Sequence, residues 1–177
     1  MTFTPRFISR LAIAASLTAL AAALLSQHVG GLAPCPLCLL QRLPYAVIIF
    51  LGAAALLAAG RGHNPVVLFA LIGALFALDA AIAFYHVGVE QGWFEGLAAC
   101  AGGGETPDSV DALRALLLDE PAAPPCDRVQ WSLFGISMAG YNMLYAALLA
   151  AITLVFGIKH DSQANGPKEN SPKENSG

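Results

Sequence analysis

Charge is scarce in this chain: of its 177 residues 12% are Asp, Glu, Lys or Arg, whereas 56% are hydrophobic. A soluble domain carries about 25% charged residues, so the deficit excludes an ordinary water-soluble fold and points to lipid. Basic residues are fewer than acidic ones, nine against twelve, for a net charge of −3 at pH 7. That balance offers no cationic surface for nucleic acid. Aromatic residues make up only 8%, and cysteine is limited to four positions. Those four positions are the most informative. Cys35 and Cys38 form a Cys-Pro-Leu-Cys motif at the mouth of a long apolar segment, and Cys100 and Cys126 bracket a polar, Gly- and Pro-rich loop between two others.

Four stretches reach bilayer length, about 20 predominantly apolar residues: 7–27, 37–59, 65–85 and 136–158. In lipid each must satisfy its own backbone, so each is expected to be a helix. Their Ala, Leu and Gly content suits close helix–helix contact. The expected fold is all-α, an integral membrane four-helix bundle at 1–160 with a long loop at 86–135. Orientation follows from the short-flank cations. Arg6, Arg10, Arg61 and Lys159 fall on one side, expected to be the cytoplasm, with both termini. The loop 86–135 has Arg114 and Arg128 as its only Lys or Arg residues, and all four cysteines lie on its side. Arg6, Arg10 and the apolar run behind them also resemble a secretory signal peptide; cleavage would leave three spans with the cysteines still outside. Residues 161–177 repeat Pro-Lys-Glu-Asn-Ser and are expected to be a disordered cytoplasmic tail. Within the long loop, Val110, Leu113, Leu116 and Leu117 recur at helical spacing, predicting a short amphipathic helix over 109–118 that lies on the membrane surface or on the bundle top.

Cysteines outside the cytoplasm usually pair, so two inert disulfides or a four-cysteine zinc site must be weighed. Zinc sites commonly show two close pairs; here the second pair is 26 positions apart, which argues against a metal. A structural disulfide explains Cys100–Cys126 well and Cys35–Cys38 badly, because closing so short a ring constrains the unfolded chain little. A Cys-x-x-Cys ring is more typical of a couple that opens and closes. Cys35 precedes a predicted helix and Cys38 sits in its first turn, where the helix dipole favours a thiolate. Arg42 is four residues beyond Cys38 on the same face, placed to stabilise the Cys38 thiolate or an anionic species bound to it; the plainer role is a cation snorkelling to the headgroups. Pro44 predicts a kink in the following turn. His86 closes the third span at about the depth of Arg42, where it is either a hydrogen-bond partner for a bound ligand or an ordinary interfacial histidine. Asp79, about two turns deeper, pairs with a basic group or contacts water.

With these motifs in place the chain resembles the disulfide bond formation protein B (DsbB) family of the bacterial inner membrane. The resemblance rests on Cys35-Pro-Leu-Cys38-Leu-Leu-Gln-Arg42, on Tyr85-His86, on Cys100 with Cys126, and on Trp131-Ser-Leu-Phe-Gly-Ile-Ser-Met138. It covers the chain from the first span to the fourth. Two departures stand out: Ala139 replaces a proline frequent in the family, and the stretch after Cys100 is unusually Gly-rich. The resemblance implies a quinone-dependent protein-disulfide oxidoreductase, multi-pass in the inner membrane, with both cysteine pairs periplasmic. It implies that a Cys100–Cys126 disulfide is attacked by a reduced periplasmic thioredoxin-like (DsbA-like) oxidase, forming a mixed disulfide at Cys100. Cys126 then attacks Cys35 of a Cys35–Cys38 disulfide and frees Cys38, which reacts with ubiquinone or menaquinone held near Arg42 and His86. Two rivals are a vitamin K epoxide reductase-like thiol/quinone enzyme, whose cysteine pairs run in the opposite order along the chain, and a non-enzymatic scaffold with structural disulfides.

Overall fold

A computed structural model describes residues 4–97, 100 and 124–164, and side chains up to residue 157. The predicted helix at 109–118 and residues 165–177 of the predicted tail lie outside the described residues; the first four tail residues, 161–164, are not disordered but continue the last helix, which ends at Ala164. Among the described residues five helices and a small hairpin follow one another: α1 Pro5–His28, α2 Pro36–Leu40, α3 Arg42–Gly60, α4 Val66–Glu90, β1 Ser132–Leu133, β2 Ile136–Ser137 and α5 Met138–Ala164. Four segments among the described residues are long and apolar enough to cross a membrane: Pro5–His28, Pro36–Gly60, Val66–Glu90 and Met138–Gly157. The protein is an all-α four-helix membrane bundle.

Local chemistry sets the helix ends. Thr4 caps α1, its hydroxyl accepting from Phe7 N–H at 3.4 Å, and Pro5 fills the first turn, where a missing N–H costs nothing. Gly31, at φ 67°, reverses the chain after α1, a left-handed conformation that costs glycine little. The kink predicted at Pro44 is realised as a one-residue interruption, with Gln41 keeping right-handed helical angles of φ −65° and ψ −16°. Pro44 has no N–H to give the Leu40 carbonyl, and its ring crowds that oxygen. Accordingly α2 stops at Leu40 and Gln41 stands as a single turn residue before α3.

Two differences from the sequence reading lie at the end of the bundle that carries the cysteines. The third span runs on to Glu90, so His86 lies within α4 rather than closing it. The fourth was expected to start at 136, but Ile136–Ser137 is a strand paired antiparallel with Ser132–Leu133. Phe134 and Gly135 between the strands have φ of 50° and 78°, the positive values a tight hairpin turn demands. The Phe-Gly turn interrupts what hydropathy alone reads as one run.

The interior is held by Ile8, Ala12, Tyr45, Ile48, Phe69, Phe76 and Leu149. Small residues let the helices close on each other: a Cβ on Gly73 of α4 would sit 2.6 Å from Leu154 of α5, and one on Gly52 of α3 would sit 2.7 Å from Ile13 of α1. Such close approach is how membrane helices gain packing without a hydrophobic driving force between them. Phe50, Leu57, Val67 and Leu148 face outward, as a lipid-facing surface requires.

Candidate redox site

The site forms at the bundle end where α1 finishes and α2 and α5 begin. Cys35 is the N-cap of α2, its sulfur accepting from Cys38 N–H at 3.2 Å. One helical turn therefore brings the two sulfurs together, 2.6 Å apart. Cys35 is buried and Cys38 half-buried. His86 reaches across from α4, with Nε2 3.6 Å from the Cys35 sulfur. The Cys35 thiol is lowered from 9.0 to about 4, first by the Cys38 side-chain contact, then by His86 and the Cys38 backbone N–H, all against the opposing effect of burial. The sequence reading assigned the helix-terminus stabilisation to Cys38; the geometry gives the backbone donor and the histidine to Cys35.

Cys100 and Cys126 form a disulfide, with Cα atoms 5.0 Å apart. Both are buried in one cluster with Cys35, Leu37 and Val89, against which Cys38 and Tyr85 also pack. The chain leading from α4 toward Cys100 is fastened there. Phe94 stacks on Tyr85 with ring centroids 5.7 Å apart, and the Tyr85 hydroxyl donates to the Glu95 carbonyl at 2.7 Å. A Cβ on Gly88 would run into the Phe94 ring, so the absence of a side chain at 88 is what lets this segment fold back onto α4.

Arg42 opens α3 and donates from Nη1 to Gln27 Oε1 at 2.8 Å. Its Nε is buried without a hydrogen-bond partner among the described residues. It lines a cavity of about 770 Å³, mostly apolar, together with Cys38, Tyr45, His86, Met138 and Tyr145. That size suits a small-molecule ligand, and a planar ring carrying polar oxygens fits an apolar pocket with one under-used guanidinium donor. A second cavity at the opposite end of the bundle, lined by Arg6, Arg10 and His63, contains none of the thiols.

The donor atoms of Cys35, Cys38 and His86 fall within 4.8 Å of one another. Two thiolates on one tetrahedral zinc, each at about 2.3 Å, stand roughly 3.8 Å apart. Cys35 and Cys38 are free thiols whose sulfurs lie closer together than that, at 2.6 Å.

Sequence reasoning missed several polar groups here. Gln41 contacts His86 Nδ1 at 3.1 Å and accepts from Asn142 at 2.9 Å; Tyr45 donates to Asn142 at 2.7 Å. Glu90 stands 3.9 Å from His86 Nε2. Among the described residues Asp79 pairs with no basic group, contrary to one of its two expected roles; it accepts from Asn142 at 3.0 Å. The one available signal was polarity inside apolar spans, which is costly and so marks functional or interhelical contacts.

The family model for disulfide bond formation protein DsbB matches residues 5–156. A disulfide bond formation protein B from Azoarcus sp. is 32% identical over 160 residues, covering 86% of this chain and 92% of that protein. Proteins of the same name from Stutzerimonas stutzeri and Verminephrobacter eiseniae are 32% and 31% identical, covering 85% of this chain in each case and 93% and 85% of those proteins. No solved structure matches the chain.

Proposed function

The chain belongs to the DsbB family, a multi-pass membrane protein of disulfide bond formation, and on that premise we propose that it reoxidises a periplasmic thioredoxin-like (DsbA-like) dithiol oxidase and passes the electrons to membrane quinone. The observation that carries this reading is the shared cluster: both cysteine pairs are packed together, and the Cys35–Cys38 pair also lines the apolar cavity that Arg42 lines. In this account the partner's dithiol reduces the Cys100–Cys126 disulfide and leaves as a disulfide. The Cys100/Cys126 dithiol then reduces a Cys35–Cys38 disulfide through an exchange at Cys35.

The residues of the site divide the remaining work. Thiolate character controls both attack and departure in such exchanges, and the Cys38 N–H and His86 supply it at Cys35. Both thiols line the cavity; Cys38, the less buried of the two, is the sulfur assigned to the electron acceptor. Arg42 presents a fixed positive charge there, held in place by Gln27. When bound, quinone takes up two electrons and two protons, which leaves Cys35 and Cys38 as a disulfide and closes the cycle. We further propose an inner-membrane protein with both termini cytoplasmic and both cysteine pairs periplasmic, from the side on which the short-flank cations fall.

The reading is tested by mixing purified protein with a reduced thioredoxin-like oxidase and a soluble quinone, and following quinone absorbance. Catalytic quinone reduction that requires both proteins is the expected result. Reduction by neither combination, with the cysteines intact, would leave the scaffold reading in its place.

A further inference from the structure

A polar chain runs from the thiols into the bundle, and the relay above makes no use of its inner end. Asp79 is wholly buried. Its Oδ2 accepts from Asn142 Nδ2 at 3.0 Å, and the same nitrogen donates to Gln41 Oε1 at 2.9 Å. Asn142 Oδ1 accepts from the Tyr45 hydroxyl at 2.7 Å. The other end of the Gln41 amide, Nε2, lies 3.1 Å from His86 Nδ1. His86 Nε2 then faces the Cys35 sulfur at 3.6 Å.

The direction of every bond in this chain follows from what each atom is able to do. A carboxylate oxygen accepts, and an amide nitrogen donates without accepting. Asp79 therefore turns the Asn142 nitrogen toward itself, and that nitrogen's second hydrogen fixes the oxygen end of Gln41. Gln41 is left with its nitrogen toward His86, so Nδ1 must accept. A neutral imidazole that accepts at Nδ1 carries its proton on Nε2. We propose that Asp79 is a positioning residue which, through Asn142 and Gln41, holds His86 as the Nε2–H tautomer and so aims a hydrogen-bond donor at the Cys35 sulfur. Asp79 itself touches neither thiol nor acceptor.

Other titratable or charged groups stand around the His86–Cys35 pair. Cys38 lies in the turn of Cys35, Glu90 stands beside His86 on α4, and Arg42 and Arg128 line the adjoining cavity. Glu90 Oε1, 3.9 Å from His86 Nε2, also favours a proton there, so the test must separate it from Asp79. The proposal rests on the thiol role assigned above, but its readouts need neither quinone nor partner oxidase, and failure of quinone reduction would not move them.

The test uses the reduced full-length protein with nitrogen-15 in its histidines. In the wild type, His86 should show a protonated Nε2 and an unprotonated Nδ1. In Asp79→Leu and Asn142→Leu the Nδ1–H tautomer should appear, and the midpoint pH for alkylation of Cys35, followed by peptide mass, should rise by about one unit, since a donor to the charged form is lost. Asp79→Asn keeps an acceptor oxygen and should stay close to the wild type. A protonated Nδ1 in the neutral wild-type histidine overturns the proposal without any variant. So does a wild-type tautomer and alkylation midpoint in both leucine variants, which would assign the proton to Glu90 alone.

Discussion

Arg42 meets the cavity with one nitrogen committed to Gln27 and with Nε unpartnered among the described residues. Fixed charge at such a place commonly contributes roughly 10²–10³ in rate. Lysine keeps the charge but loses the planar fork that holds two oxygens or bridges to Gln27. Arg42→Lys should therefore raise the apparent Michaelis constant for quinone, and Arg42→Ala should raise it further, with thiol exchange at Cys100 largely retained. Unchanged constants in both variants would make Arg42 a headgroup anchor. Cys35 carries a separate expectation. Its folded-state thiol lies at about 4 against an ordinary 9.0, so the folded reduced protein holds fewer protons than the unfolded chain between those values. Stability of the reduced form should then rise with pH across that window and be lost as pH falls toward 4. Chemical denaturation of the reduced protein at pH 5 and pH 8 measures it; lower stability at pH 8 than at pH 5 would refute the assignment. At this scale the sequence was informative where chemistry is local. Cys35, Cys38 and Arg42 sit within eight positions, and one helical turn fixes how the two thiols meet. The Gln41–Asn142 contact joins positions 101 apart, and no local pattern encodes it.

The one-residue interruption between α2 and α3 turns a transmembrane helix into a site. Because Pro44 frees the Leu40 carbonyl, Gln41 is a turn residue whose side chain reaches both α4 and α5. Pro44→Ala should let the helix run unbroken through 36–60 and withdraw Gln41 from His86. Quinone reduction should fall while the bundle stays folded, measured by turnover together with helical circular dichroism; turnover equal to wild type would show that the interruption is incidental. The segment after α4 depends on Gly88 in a similar way. A methyl at 88 would strike the Phe94 ring, and overpacking of that kind costs about 1–3 kcal/mol. Gly88→Ala should loosen the stretch between α4 and Cys100, seen as faster proteolysis near Trp93, with the four spans unaffected. Both devices were only partly legible. Pro44 announces a kink but not that a hub residue stands at it. The strand pair at 132–137 hides inside an apolar run, because hydropathy ignores the positive φ of Phe134 and Gly135.

For the whole molecule, low charge and four bilayer-length runs led to the membrane bundle directly, since a backbone in lipid has few alternatives. What composition does not supply is the meeting of the two cysteine pairs, in which Cys100 and Cys126 pack with Cys35 and with Leu37 of α2. The proposed orientation makes the pairs periplasmic. An impermeant thiol reagent should then label Cys100 in reduced intact cells stripped of their outer membrane, and labelling only after the inner membrane is ruptured would invert the topology. The central claim is that electrons pass from the outer pair through Cys35 and Cys38 to quinone, and Cys38→Ala tests it most directly when two products are measured in one reaction. Incubated with a reduced thioredoxin-like oxidase and quinone, this variant should still form a covalent complex with the oxidase through Cys100 while quinone reduction disappears. Quinone reduction at the wild-type rate in Cys38→Ala would contradict the account.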